Sequence, residues 1–177
     1  MLSIQHLEKR FVEKVLFRDL MGLEAPTGGT VEGVGRVGAV FQEDRLCPQL
    51  TAVQNVALVL PGDETRYKQD IIHDFQRLGM NLSVLALPAG RLSGGQKRRT
   101  ALLRALWAPA DTLLLDEPFT GMDPETLGAA AALLAQKSAG RPVLLATHDR
   151  EAIRLLGWPV IELDRLTTAA PGCCSER

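Results

Sequence analysis

The sequence predicts an α/β domain whose second half is a parallel sheet covered by helices. Three observations carry this. From residue 93 onward helix-like and strand-like runs alternate, and that order implies parallel strands joined by crossovers. The strand-like runs Thr112–Leu115 and Val143–Ala146 are short and almost wholly apolar, as in strands buried on both faces. The 177 residues are 46% hydrophobic and 23% charged, which is enough apolar material for one globular domain with a sizeable core.

The elements follow in order. Residues 2–6 alternate as an edge strand does, and Phe11 with Val15–Phe17 suggests a strand or hairpin pair. Residues 21–30 read as a turn-rich connection. Gly33, Gly35 and Gly38 match the spacing of a dinucleotide-binding fingerprint, but that fingerprint must open a helix. Here it runs into Ala39–Gln42, a strand pattern, and no acidic residue falls about twenty positions on. A glycine-rich hairpin explains it better.

Thr51 caps a short helix that stops at Pro61–Gly62. Asp63–Met80 is an amphipathic helix with Ile71, Ile72, Phe75 and Leu78 on one side. Val84–Gly90 reads as a loop. Ser93–Trp107 is a helix, with Leu102, Leu103 and Leu106 at helical spacing. Thr112–Leu115 is a buried strand. Pro124–Ser138 is an alanine-rich helix with proline at its start and Gly140 beyond its end. Val143–Ala146 is a strand, Arg150–Leu156 a helix and Val160–Leu163 a final strand. The expected domain is 1–166, with a loose tail at 167–177.

Bulk properties exclude several classes. A net charge of −1 gives no bulk attraction to nucleic acid or anionic lipid. The local trio Lys97-Arg98-Arg99 reads as a solvated helix face. Cys47, Cys173 and Cys174 are an odd count with two adjacent, which suits a reducing compartment rather than a disulfide framework. The start lacks the charge order and long apolar core of a signal peptide. The longest small-apolar run, Leu127–Ala135, is far short of the ~20 residues of a membrane-spanning helix.

The chemistry concentrates in Leu92–Asp123. Asp116-Glu117 ends a buried strand, and in open α/β sheets ligands bind beyond the carboxyl ends of strands. A carboxylate there can hold Mg²⁺ through water, and its neighbour can orient or deprotonate an attacking water. The dipeptide alone fits a pair of surface acids equally well. His148 tips the balance: it follows the next buried strand and would emerge at the same sheet edge. Ser93-Gly94-Gly95-Gln96 opens a helix, where backbone N–H groups and the helix dipole favour an anion.

Together these residues resemble the ATP-binding-cassette (ABC) family, the nucleotide-binding subunits of ABC transporters. Leu92–Gln96 is similar to the signature motif and Leu113–Pro118 to Walker B with its glutamate. Thr120–Asp123 resembles the D-loop, Thr147-His148-Asp149 the switch histidine and Phe41-Gln42-Glu43 the Q-loop. Phe11 sits where the family places an adenine-stacking aromatic. The resemblance implies a P-loop NTPase-like core with a small antiparallel β subdomain and a helical subdomain at about 45–92. It implies ATP and Mg²⁺ as cofactors, with Asp116 holding Mg²⁺ and Gln42 sensing metal and water. Glu117 would polarise water and His148 would contact the γ-phosphate. Ser93, Gly94, Gly95 and Gln96, with Asp123 nearby, would face ATP bound to a second nucleotide-binding subunit. Membrane-embedded permease subunits would be the other partners, on the cytoplasmic face of the plasma membrane. The segment 41–56 looks closest to bacterial importers of nitrate-, sulfonate- or taurine-like solutes.

One family element is missing from the 177 residues. No Gly-x-x-x-x-Gly-Lys-Ser/Thr occurs, and none of the five lysines follows a glycine. Asp19-Leu20 runs straight into Met21-Gly22-Leu23, where the family would place a strand, P-loop and helix of roughly 30 residues. The P-loop normally cradles the β- and γ-phosphates, so weak or no ATP binding is expected in this chain's own site.

Overall fold

The computed structural model describes residues 3–8, 20–21 and 28–161. Phe11, the run Val15–Phe17, Leu163 and the tail from 167 lie outside them. The described strands form two sheets. In the first, β1 (Ser3–Glu8) pairs antiparallel with β2 (Gly28–Glu32), with a register shift between Gln5 and Glu8. The second is parallel, in the order β3 (Val37–Val40), β4 (Thr112–Asp116), β5 (Val143–Ala146). Between β3 and β4 lie four helices: α1 (Ala52–Ala57), α2 (Lys68–Arg77), α3 (Leu82–Leu85) and α4 (Gly94–Trp107). The crossover from β4 to β5 is α5 (Pro124–Lys137), and α6 (Arg150–Leu156) follows β5.

Period-2 geometry explains the Leu-Leu-Leu run of β4. Leu113 and Leu115 point into the main core with Val40, Phe75, Leu102 and Leu134. Leu114 points to the opposite face, where it meets Leu20, with Met21, Val37, Leu144 and Ala146 packed alongside. Both faces are apolar because both are covered.

The helix starts are written into the sequence. Thr51 makes a capping box with Gln54, and Asp123 caps α5 ahead of Pro124. Asn55 is fully buried yet satisfied: its Oδ1 accepts from the Cys47 N–H at 2.8 Å, and its Nδ2 donates to the carbonyls of Cys47, Leu50 and Thr51. It stitches the loop before α1 to the helix.

Five expectations need correction. The glycines of 33–38 do not form a hairpin, because β2 and β3 belong to different sheets. Gly33 and Gly35, both at positive φ, turn the chain between them. Gly38 lies inside β3, where an added Cβ would come 2.8 Å from the Ala105 carbonyl of α4; close packing of helix on strand, not a turn, requires it. Gly28–Thr30 belongs to β2 rather than to a connection. Leu82–Leu85 is a helical turn capped by Asn81, and Ala89–Arg91 a 3-10 turn, where a loop was expected. Val160 and Ile161 form no strand and are 58% and 74% exposed: an apolar run lacking a pairing neighbour does not make a strand. The expected helix over 63–80 also divides into a 3-10 turn at Glu64–Arg66 and α2.

Among the described residues, no helix is long and apolar enough to cross a membrane.

Candidate functional site

Parallel register brings the candidate residues to one sheet edge. Val40 lies opposite Leu115, and Asp116 lies opposite Ala146. The residues that follow each strand therefore emerge together: Phe41-Gln42, Glu117, and Thr147-His148.

Glu117 is the centre of this edge. Its backbone lies in the left-handed region at φ 47°, a conformation that a non-glycine residue adopts at a cost. The turn re-aims its side chain across to β5. One carboxylate oxygen accepts from the His148 N–H at 2.9 Å and lies 2.7 Å from His148 Nδ1; the other accepts from the Thr147 hydroxyl at 3.0 Å. A carboxylate can only accept, so Nδ1 carries a proton in this pair. A cleft of about 380 Å³ opens here, lined by Glu117, Thr120, Gly121, His148 and Asp149 among others.

Asp116 is half-buried at the end of β4. Among the described residues, no group of three or more His, Cys, Asp or Glu side chains could hold a metal. A Mg²⁺ here would take one carboxylate from the protein and its remaining oxygens from water and phosphate, which suits that ion's chemistry. Gln42 is exposed on the segment after β3.

Ser93 begins α4 with a complete capping box. Its hydroxyl accepts from the Gln96 N–H at 3.3 Å, and Gln96 Oε1 accepts from the Ser93 N–H at 2.9 Å. The N–H groups of Gly94 and Gly95 occupy the first turn, where the helix itself supplies no acceptor. An added Cβ at Gly94 would meet nothing within 4 Å, whereas one at Gly95 would come 2.8 Å from the Gly121 carbonyl. The start of α4 thus abuts the 120–123 turn. Gly95→Ala is expected to lower stability by about 1–3 kcal/mol through overpacking. Gly94→Ala is expected to be neutral or stabilising by up to about 1 kcal/mol, because alanine favours the helix. Equal melting temperatures for the two variants would contradict this packing.

Asp123 accepts from the Thr126 N–H and hydroxyl, both at 2.9 Å. The backbone bond first and the hydroxyl bond second hold its carboxyl below the usual range. A depressed folded-state pKa contributes stability that is complete above the unfolded value near ~4 and is lost as pH falls through the folded one. Asp123→Asn keeps the cap but not the titration. The melting-temperature gap between parent and variant should therefore narrow as pH drops below ~4; a constant gap would exclude this linkage.

The trio 97–99 corrects an expectation. Arg98 is 5% exposed, and Lys97 and Arg99 are both half-buried, so the trio is not a fully solvated face. Arg98 donates to the carbonyls of Phe41 and Asp116 and to the Asp44 carboxylate. Arg99 donates to the carbonyls of Gly95 and Leu78. The missed signal was phase: Arg98 precedes Leu102 by four residues and shares its buried stripe. Asp74 was also missed. Its side chain is 7% exposed and accepts from Trp107 Nε1 at 2.9 Å and Lys137 Nζ at 2.7 Å.

Adjacent carboxylates, a histidine and a capped glycine helix start lie at one end of an α/β protein with a parallel sheet. The family model for ABC transporters matches residues 15–120. The chain belongs to that family. It is 38% identical over 159 residues to the aliphatic sulfonates import ATP-binding protein SsuB 1 of Rhodococcus jostii, covering 85% of this chain and 63% of the relative. It is 35% identical over 183 residues to the methionine import ATP-binding protein MetN of Brucella abortus, covering 90% of this chain and 49% of that one. The chain therefore spans only about half to three fifths of the length of these relatives. A solved dimeric bacterial ABC transporter cassette, MJ0796, superposes with a TM-score of 0.67 at 25% identity, covering 80% of this chain and 72% of that one.

Proposed function

We propose that the chain is the ATP-binding subunit of an ABC transporter, coupling ATP binding and hydrolysis to solute import. The observation that carries this is the Glu117–His148 pair at 2.7 Å on the carboxyl edge of the sheet. In this reading Asp116 and Gln42 face Mg²⁺, which neutralises phosphate charge when bound, and Glu117 orients the attacking water. His148, oriented by its bond to Glu117, contacts the γ-phosphate. Phe11 stacks on adenine. Ser93, Gly94, Gly95 and Gln96 face the ATP of a second nucleotide-binding subunit, with Asp123 beside them. Residues 1–166 make the ABC domain, and about 45–92 its helical subdomain, which meets a membrane-embedded permease. The protein then sits on the cytoplasmic face of the membrane, and nucleic acid plays no part. The names of the relatives support an importer, with sulfonate-like or methionine-like solutes as candidates.

Own-site hydrolysis is impaired in this proposal, because the sequence holds no Walker A motif. The MetN alignment supports an internal gap: at 183 residues it is longer than the chain, although it covers only 90% of it. The relative therefore carries residues with no counterpart here. A second reading is a partner that supplies Ser93–Gln96 in trans to a subunit bearing its own P-loop. The open surface at Gly94 favours it. Binding of a fluorescent ATP analogue separates the cases. Binding by the chain alone overturns the impairment. Binding that appears only with a Walker A-bearing partner supports the trans role, and no binding in either setting supports an internally deleted form.

A further inference from the structure

The segment 41–45 leaves β3 without regular secondary structure, and Arg45 within it stands at φ 44°. Two arginines of α4 hold it. Arg98 places one Nη on the Phe41 carbonyl and on Asp44 Oδ1, the latter at 3.1 Å, and the other Nη on the Asp116 carbonyl at 3.1 Å. Arg104 donates to the Arg45 carbonyl at 2.8 Å and the Asp44 carbonyl at 3.0 Å. The Arg98 side chain is only 6% exposed. A buried guanidinium is tolerated when its donors are filled and an anion is close, and here the acceptors come from two different strand ends. The planar fork sets the angle between these bonds, a geometry that an ammonium does not reproduce.

We propose that Arg98 is a positioning residue that fixes the Gln42 segment against the carboxyl end of β4, making the segment a rigid extension of α4. The start of α4 carries Ser93–Gln96, so one helix sets both the surface for a second subunit's nucleotide and the segment holding Gln42. The functional meaning of this coupling rests on the proposed reading of Gln42 and Ser93. The structural claim does not, and it is tested without nucleotide.

A spin label at Glu43→Cys reports the segment, in the full chain with Cys47, Cys173 and Cys174 replaced by serine. A label at Ser83→Cys, an exposed position of α3, is the control. In the parent background the position-43 spectrum should show restricted motion. With Arg98→Met its correlation time should shorten several-fold while the position-83 spectrum stays unchanged. Arg98→Lys should recover only part of the restriction. Should Arg98→Met fail to fold, Asp44→Ala removes one side-chain acceptor of Arg98 and should loosen position 43 to a lesser degree. An unchanged spectrum at 43, equal loosening at both positions, or full recovery with lysine would each overturn the proposal. Failure of ATP binding leaves this outcome untouched and counts only against the nucleotide reading.

Discussion

Asp74→Ala is expected to lower the unfolding free energy by about 3 kcal/mol, the lower end for breaking a buried ion pair. Asp74 sits on α2 at 7% side-chain exposure, with Lys137 of α5 at 2.7 Å and Arg77 at 3.6 Å. Trp107 of α4 donates its indole N–H to the same carboxylate. Lys137 also lies 3.9 Å from the centre of the Trp107 ring. Removing the carboxylate leaves the indole N–H without that acceptor and the ammonium with a ring alone. Lys137 keeps 24% exposure, so water offsets part of the loss, which sets the lower end. Asp74→Asn keeps an acceptor for Trp107 and should cost less. Urea midpoints at constant slope would measure both. A loss below about 1 kcal/mol for alanine would mean that this three-helix tie is a surface pair in energetic terms.

Inserting a strand, a Gly-x-x-x-x-Gly-Lys-Ser/Thr loop and a helix between Leu20 and Met21 is expected to raise affinity for an ATP analogue by at least about 100-fold. Two charge-assisted hydrogen bonds at about 1.5–3 kcal/mol each would account for that factor. Replacing the inserted lysine by alanine should remove most of the gain. Glu117→Gln in the restored chain should keep the binding and abolish turnover, since water activation and phosphate capture use different groups. Leu20 is 3% exposed and packs on Leu114, next to Leu144 and Ala146, so the added unit would arrive beside the β4–β5 side of the sheet. Binding that is no better with the insert than without it would refute the view that this join is where the site is broken.

Residues whose role depends on local chemistry were legible in the sequence. Thr51, Ser93 and Pro124 announce helix starts because these starts are decided within four residues. The meeting of Asp116, Glu117 and His148 at one sheet edge was legible because a parallel sheet carries short apolar runs to one edge. The failures share a cause as well. Arg98 and Asp74 are charged, and charge suggests solvent until a distant partner is known. Arg98's partners lie 57 and 18 residues away, and no local pattern reports them. Gly38 misled for the same reason: its neighbour is a carbonyl on α4, not the next residue in a turn. Val160 and Ile161 carry strand-like residues, but pairing belongs to the sheet rather than to the segment.

The box formed by Ser93 and Gln96 has a kinetic consequence. The surface that α4 would offer to another subunit is already folded, with both cap bonds made. Assembly then needs no ordering step at this helix, and encounters are not discounted by a fraction of unfolded caps. Association should be single-phase and limited by docking, in the typical range of about 10⁵–10⁷ M⁻¹s⁻¹. Cutting the cap with Ser93→Ala should slow the on-rate as well as shorten the lifetime of the complex.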